Sequence, residues 1–356
     1  MADSTDVGVE RALNPRHTLA LTTRGGKGTR TLGFRFVDPR DVTYTSAAMK
    51  RVSFGAAVLA VSIASAAGGA GCSRNNIEAV NLANEGDKDR ATNLDSAISK
   101  YEQAANLDPT NHRILFKLGL AYQKKEAWDK VASTMARAEK VAPTHANYFF
   151  LHGLANARQA AKGPTSWSEA KGPLEEAIKL DPNIADAHFE LAEVMLHLDD
   201  EKAALDGYTK AILTKPDEMS FYGPLADLYI RLNFIDQAEQ VLKEGLQFGK
   251  EGDKALFAVH SLLGDIYDRK RDSGKAVAEY EAAKKSCGPC NEAGQQIAFF
   301  NLGAAYASLN PPRKSEAMAQ LQSFQKMICK GAAAQRYADQ CTQAQQLATK
   351  LGGTLQ

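Results

Sequence analysis

Ser286-Cys287-Gly288-Pro289-Cys290 is the stretch best equipped for chemistry in this chain. Two thiols separated by two residues can close a disulfide or exchange with one, and exchange needs a thiolate. A thiolate forms readily when the first cysteine opens a helix, after a strand, where unpaired backbone N–H groups favour negative charge. No strand pattern precedes Cys287. A local structural bridge that pins a turn is therefore the expectation, with thiol–disulfide redox chemistry as the alternative reading. Cys329 and Cys341 complete a set of four, for which three pairings are open and a zinc site is a further alternative.

Cys-Gly-Pro-Cys also resembles the redox motif of thioredoxin-like proteins, but the βαβ pattern that would frame it is absent. Other chemistry is poorly supported. His112, His145, His152, His188 and His260 are scattered, and no His-Glu-x-x-His occurs. Asp199-Asp200, and Asp265 with Asp268, read as solvated turns or groove edges. There is no Gly-x-Ser-x-Gly and no phosphate-cradling loop. No catalytic residue, metal or cofactor is expected, and the chain does not read as an enzyme.

The elements that carry these residues begin at an unusual place. Met49-Lys50-Arg51 is a cationic front, Val52 to Ala67 is apolar or small without charge, and Gly68-Gly69-Ala70-Gly71-Cys72 follows. The run is shorter than the ~20 residues that cross a bilayer, and its order is that of a secretory signal. Small residues before a cysteine resemble the lipobox of bacterial lipoproteins, although that family usually has Leu at the position of Gly69. The resemblance implies cleavage before Cys72, a lipid on Cys72, and an envelope location. Ser73, in place of an aspartate, implies the outer membrane, facing the periplasm. Residues 1–48 carry seven basic residues and no hydrophobic periodicity. They read as a disordered tail or as an upstream segment ahead of a true start at Met49.

The formal net charge is +1; taking the 9 Lys/Arg and 5 Asp/Glu of residues 1–72 from 43 and 42 leaves 34 and 37. That balance gives nucleic-acid binding no electrostatic support. In an exported chain the four remaining cysteines favour disulfides.

Past Cys72 the chain repeats itself. Counted from His112, Leu118, Gly119, Tyr122, Val131, Met135, Ala138 and Pro143 take places 7, 8, 11, 20, 24, 27 and 32. The frame recurs from Ala185, Met219 and Phe257, and with insertions from Asn76, Ala146 and Gln296. It resembles the tetratricopeptide repeat, whose period is 34 residues. Gly or Ala at places 8, 20 and 27 lets two amphipathic helices approach, and bulky apolar groups fill the seam. The expected fold is all-α: a right-handed α-solenoid of about seven tetratricopeptide helix pairs with a C-terminal capping helix. The segments are 1–48 upstream, 49–71 signal, 72–75 anchor and linker, 76–331 repeat array and 332–351 cap. Cys329 and Cys341 are expected to join the last repeat to the cap.

In that family, places 2, 5, 9, 12 and 13 of each first helix line the concave face. The resemblance therefore implies a groove containing Phe116, Leu120, Lys124, Phe150, Arg158, Phe189, Glu193, Asp227, Arg231, Asp265 and Arg269. Phe116, Phe150 and Phe189 recur at place 5 and form either a ligand-facing strip or packing between neighbouring first helices. The lysine–asparagine clamp of co-chaperone members is absent. The partner implied is an apolar peptide or helix laid in the groove. Exported members assist envelope assembly, for example as pilotins, and a non-catalytic adaptor of that kind is the functional expectation.

Overall fold

The computed structural model describes residues 18–23, 30–35, 74–163, 166–330 and 333–355. The signal reading at Met49 to Gly71 and the anchor Cys72 lie outside the described residues. The chain divides into two units, 1–69 and 70–356.

The first unit holds β1 (Thr18–Thr23) and β2 (Arg30–Arg35), paired antiparallel with Thr18 opposite Arg35 and Thr23 opposite Arg30. The sequence reading placed no element here, so the all-α expectation applies to the second unit alone. Thr, Leu and Phe suit strands, and two strands of six residues are too short to show as hydrophobic periodicity.

The second unit is a succession of helix pairs. They are α1 (Arg74–Asp89) with α2 (Leu94–Leu107), α3 (His112–Lys124) with α4 (Trp128–Val141), and α5 (Ala146–Ala160) with α6 (Trp167–Leu180). Then follow α7 (Ala185–His197) with α8 (Glu201–Thr214), and α9 (Tyr222–Arg231) with α10 (Ile235–Leu246). The array closes with α11 (Ala255–Arg269) and α12 (Ser273–Cys287), α13 (Ile297–Ser308) and α14 (Lys314–Phe324), and a last helix α15 (Ala338–Lys350). Each helix packs on its partner and on the next pair, so no pair has to hide its apolar face alone.

The spacing has a visible cause. A Cβ added to Gly119, Gly153, Gly264 or Gly303, all at place 8, would come within 2.3, 2.6, 2.4 and 2.9 Å of Met135, Leu174, Tyr280 and Leu321. Each of those four side chains is the place-24 residue of the partner helix. Where place 8 is Ala192, the facing Gly207 provides the room, at 2.9 Å. Ala97, Ala170, Ala204, Ala238, Ala276 and Ala317, at place 20, are fully buried.

The turn inside a pair also repeats. Glu126, Asp199, Asn233 and Arg271, all at place 15, have φ of 55°, 60°, 64° and 59°. The amide that follows each one donates to a carbonyl five residues back: Ala127 to Tyr122, Asp200 to Met195, Phe234 to Tyr229 and Asp272 to Tyr267. This pattern satisfies helix-end carbonyls in a left-handed cap. Asn and Asp tolerate that geometry, whereas Glu126 and Arg271 are strained. The left-handed residues carry no glycine signal, which hides the turn from a sequence reading.

The cap departs from expectation. The helix begins at Ala338 rather than near 332, because α14 continues as a π-turn, Gln325–Cys329, and residues 333–337 form a separate turn. Cys329 is bridged to Cys341 across that turn, with Cα atoms 5.7 Å apart. Gly352, at φ 89°, ends α15 as read from the sequence, with Gly353 N–H donating to Ala348 and Gly352 N–H to Thr349.

Ionic contacts tie successive pairs together. Glu239 on α10 accepts from Lys243 at 2.5 Å, from Tyr267 on α11 at 2.9 Å, and from Lys270. Burial opposes its ionisation, but the Lys243, Lys270 and Tyr267 hydrogen bonds outweigh it and hold the carboxyl at about 2, below its ordinary 4.5. A depressed acid stabilises the fold above its unfolded value, so this contribution is complete above pH 4.5 and disappears as pH falls toward 2. In urea denaturation series from pH 7 to 2, wild type should exceed Glu239→Gln near neutrality, and the two curves should converge at the acid end. Gly264→Ala tests the seam: helix propensity favours alanine by about 1 kcal/mol, yet collision with the Tyr280 ring should leave the variant about 1–3 kcal/mol less stable by urea denaturation.

Candidate protein-binding groove

The seam defines the opposite face. At about 100° per residue, places 2, 5, 9, 12 and 13 of a first helix fall in one arc, turned away from the seam side occupied by places 4, 7, 8 and 11. First helices touch one another in succession: α1 meets α3, α3 meets α5, α5 meets α7, and α9 meets α11. Phe189 on α7 stacks on Phe221, just ahead of α9, with centroids 5.0 Å apart. The arcs thus join into one surface from α1 to α11.

The three phenylalanines at place 5 are half-buried rather than freely presented. Phe116 lies 5.2 Å from the Tyr148 ring of the next first helix, and Phe189 also meets Tyr208 at 5.5 Å. Phe150 packs between two core clusters. Each ring is therefore engaged laterally and keeps an edge on the surface. Leu120 is likewise half-buried. Two groove residues were missed at sequence level: Ile77 and Val80, at places 2 and 5 of the first copy, are 55% and 44% exposed. Applying the same place numbers to α1 would have found them.

The charged positions divide by partner. Arg158 on α5 holds Glu190 on α7 through two bonds of 2.8 and 2.6 Å. Glu190 is almost fully buried, and burial pushes its carboxyl up even though the guanidinium draws it down. Arg158 thus joins neighbouring repeats. The same junction between α1 and α3 is made with charges reversed, Lys117 to Asp87 at 2.6 Å. Glu193 accepts from Tyr208 at 2.5 Å. Asp227 stands 3.8 Å from Arg231. Lys124 and Arg269 are exposed.

Of the two readings open for Asp265 and Asp268, the structure favours groove edges, with Asp265 half-buried and Asp268 exposed. The Tyr280 hydroxyl reaches Asp265 at 2.6 Å and Asp268 at 3.1 Å. Burial raises both carboxyls, against the pull of that hydroxyl. The same arrangement recurs in other pairs, where Tyr101 bonds Asp87 at 2.7 Å and Tyr208 bonds Glu193. A second-helix tyrosine crosses the seam over the small residue and anchors an inner-face acid.

The histidines hold structure. His188 Nε2 lies 2.9 Å from the Pro182 carbonyl, and His152 and His260 bond Glu139 and Glu279 at 2.9 and 2.7 Å. His112 bonds the Tyr148 hydroxyl at 2.7 Å, and His145 stacks on His112 at 5.0 Å.

Of the three cysteine pairings, the structure carries Cys287–Cys290 and Cys329–Cys341, which leaves no thiolate set for zinc. Cys287 is the last residue of α12, and its Sγ lies 3.3 Å from the Lys284 carbonyl. Helix carbonyls and the negative end of the dipole disfavour a thiolate there, the reverse of what redox exchange needs. Cys290 is fully buried.

Residues 93–126, one 34-residue period running from the start of α2 past the end of α3, match the family model described as TPR repeat. The fold of the array is an α-solenoid of helix pairs of the tetratricopeptide type. Solved structures similar to this TPR chain include MamA, at 26% identity and a TM-score of 0.43, covering 46% of this chain and 93% of that one. Another, PilF of Pseudomonas aeruginosa, is 17% identical with a TM-score of 0.49, over 59% and 92%. YrrB, described as a TPR protein with an unusual peptide-binding site, is 18% identical with a TM-score of 0.43, over 53% and 94%. No curated protein matches. TPR arrays serve as protein-interaction scaffolds.

Arg158→Ala should destabilise the TPR array by about 2–4 kcal/mol, because it leaves the Glu190 carboxylate buried without its partner. Adding Glu190→Gln should recover much of that loss. Urea denaturation at pH 7 checks both.

Proposed function

We propose that this protein is an exported, lipid-anchored TPR adaptor that holds a segment of a partner protein along the inner face of its first helices. The observation that carries this reading is the continuous face from α1 to α11, where exposed apolar groups lie beside unpaired charge. Such a face takes an extended or helical segment by filling it with apolar side chains and pairing its charges at the edges.

Export is supported by the signal-like order at Met49 to Gly71 and by two disulfides, which persist in oxidising compartments. Cys72 would carry the lipid, and a membrane tether would keep the groove close to envelope machinery. The place proposed is a bacterial outer membrane, on the periplasmic side. The role proposed is assistance in envelope assembly, of a pilotin-like kind.

Two measurements test this reading. Metabolic labelling with an alkyne fatty acid should mark wild type and not Cys72→Ser, with the variant released to the soluble periplasmic fraction; an unlabelled wild type ends the lipoprotein claim. A photo-crosslinking residue at Lys124 should capture one dominant protein from native membranes, and the same residue at Lys179, on a second helix, should not. Equal capture at both places would sink the groove.

A further inference from the structure

The inner face is electrically two-sided along its length, and this asymmetry says what kind of segment fits it. In the half formed by α1, α3 and α5, Asp87 is taken by Lys117 and Arg158 by Glu190. Lys88, Arg113 and Lys124 remain, all exposed and without an ion pair among the described residues. That half therefore presents three positive charges and no unpaired negative one. Its apolar groups are Ile77, Val80, Phe116, Leu120 and Phe150, exposed or half-buried on the same helices.

In the half formed by α7, α9 and α11 the sign reverses. Asp227 is offset by Arg231. Asp186, Glu193, Asp265 and Asp268 remain against Arg269 alone, a balance of three negative charges. Glu193, Asp265 and Asp268 are held in place by tyrosine hydroxyls, which do not cancel charge. Apolar groups are confined to α7 here, where Phe189 and Leu196 are half-buried, since place 5 is Gly223 in the next copy and Ser261 in the one after.

Opposite charge clusters at the two ends of one surface act on a bound chain as a direction marker. Neighbouring first helices stand about 10 Å apart, a distance comparable with the Debye length at physiological salt. Each half therefore acts on the part of the ligand lying over it, with little influence from the other. Resting on the groove reading above, we propose that the occupant is a dipolar segment of a partner protein. It is apolar and acidic over α1, α3 and α5, and basic over α7, α9 and α11. A segment of uniform charge meets repulsion on one half. A segment with the same composition in reverse order meets it on both, and that gives the groove its selectivity.

The test is a selection on the purified full chain from a random library of sixteen-residue peptides, the length of extended chain that spans about 50 Å. The expected winners carry Asp or Glu among Leu, Ile, Met or Phe at one end and Lys or Arg at the other. A benzophenone at the acidic end should crosslink to α1 or α3, and one at the basic end to α9 or α11. The triple variant Lys88→Glu, Arg113→Glu, Lys124→Glu, checked by circular dichroism for intact helicity, should bind a winning peptide at least tenfold more weakly in 50 mM salt. The difference should shrink toward parity at 0.5 M salt. Winners without charge asymmetry, crosslinks in reverse order, or an unaffected triple variant overturn the dipolar proposal and leave the groove reading standing. Crosslinks on second helices, or no winner at all, overturn both.

Discussion

The contact between place 8 of a first helix and place 24 of its partner is the constraint from which the rest of the second unit follows. A missing side chain at Gly119 or Gly264 admits Met135 or Tyr280 against the helix backbone. With the axes that close, the apolar residues on either side interlock and the pair becomes a rigid slab. Adding even one methyl group there forces neighbours off their positions, because a packed interior has no spare volume. One slab still has an apolar side, and only the next slab covers it.

The same contact reaches the inner face. Because the helices lie so close, a tyrosine at place 24 is long enough to pass the seam and put its hydroxyl among inner-face carboxylates, as Tyr208 and Tyr280 do. Packing and groove chemistry therefore share residues. A carboxylate such as Asp265 is oriented by the core and still lies on the inner face. Junctions between repeats work alongside. Arg158 with Glu190 and Lys117 with Asp87 join neighbouring first helices with opposite polarity, which distinguishes one junction from another. These pairs also remove charge from the inner face selectively, so its electrostatic pattern is what remains after the array has satisfied itself.

The cysteines show how position outweighs motif. Cys-Gly-Pro-Cys at the start of a helix would be a reactive pair. At the end of α12, beside the Lys284 carbonyl and with Cys290 buried, it is a clip on a turn. The second bridge holds α15, whose buried residues are only Ala344 and Ala348, against the last pair.

The repeat period, the helix pairs and the small residues of the seam were all legible in the order of amino acids, since a 34-residue recurrence and helical spacing are local properties of a chain. So was the set of positions turned away from the seam, once the frame was counted. The paired strands Thr18–Thr23 and Arg30–Arg35 and the left-handed turn at place 15 were not, because short strands and non-glycine residues at positive φ leave little local trace. Nor could the sequence tell which inner-face groups are spent on the array. Arg158, Phe116 and Asp265 look equally available in a list of places. Whether each is paired, half-buried or free depends on residues 32, 32 and 15 positions away, Glu190, Tyr148 and Tyr280. Local pattern determined the elements; only the stacking of one pair on the next decided which of their side chains are left for a partner.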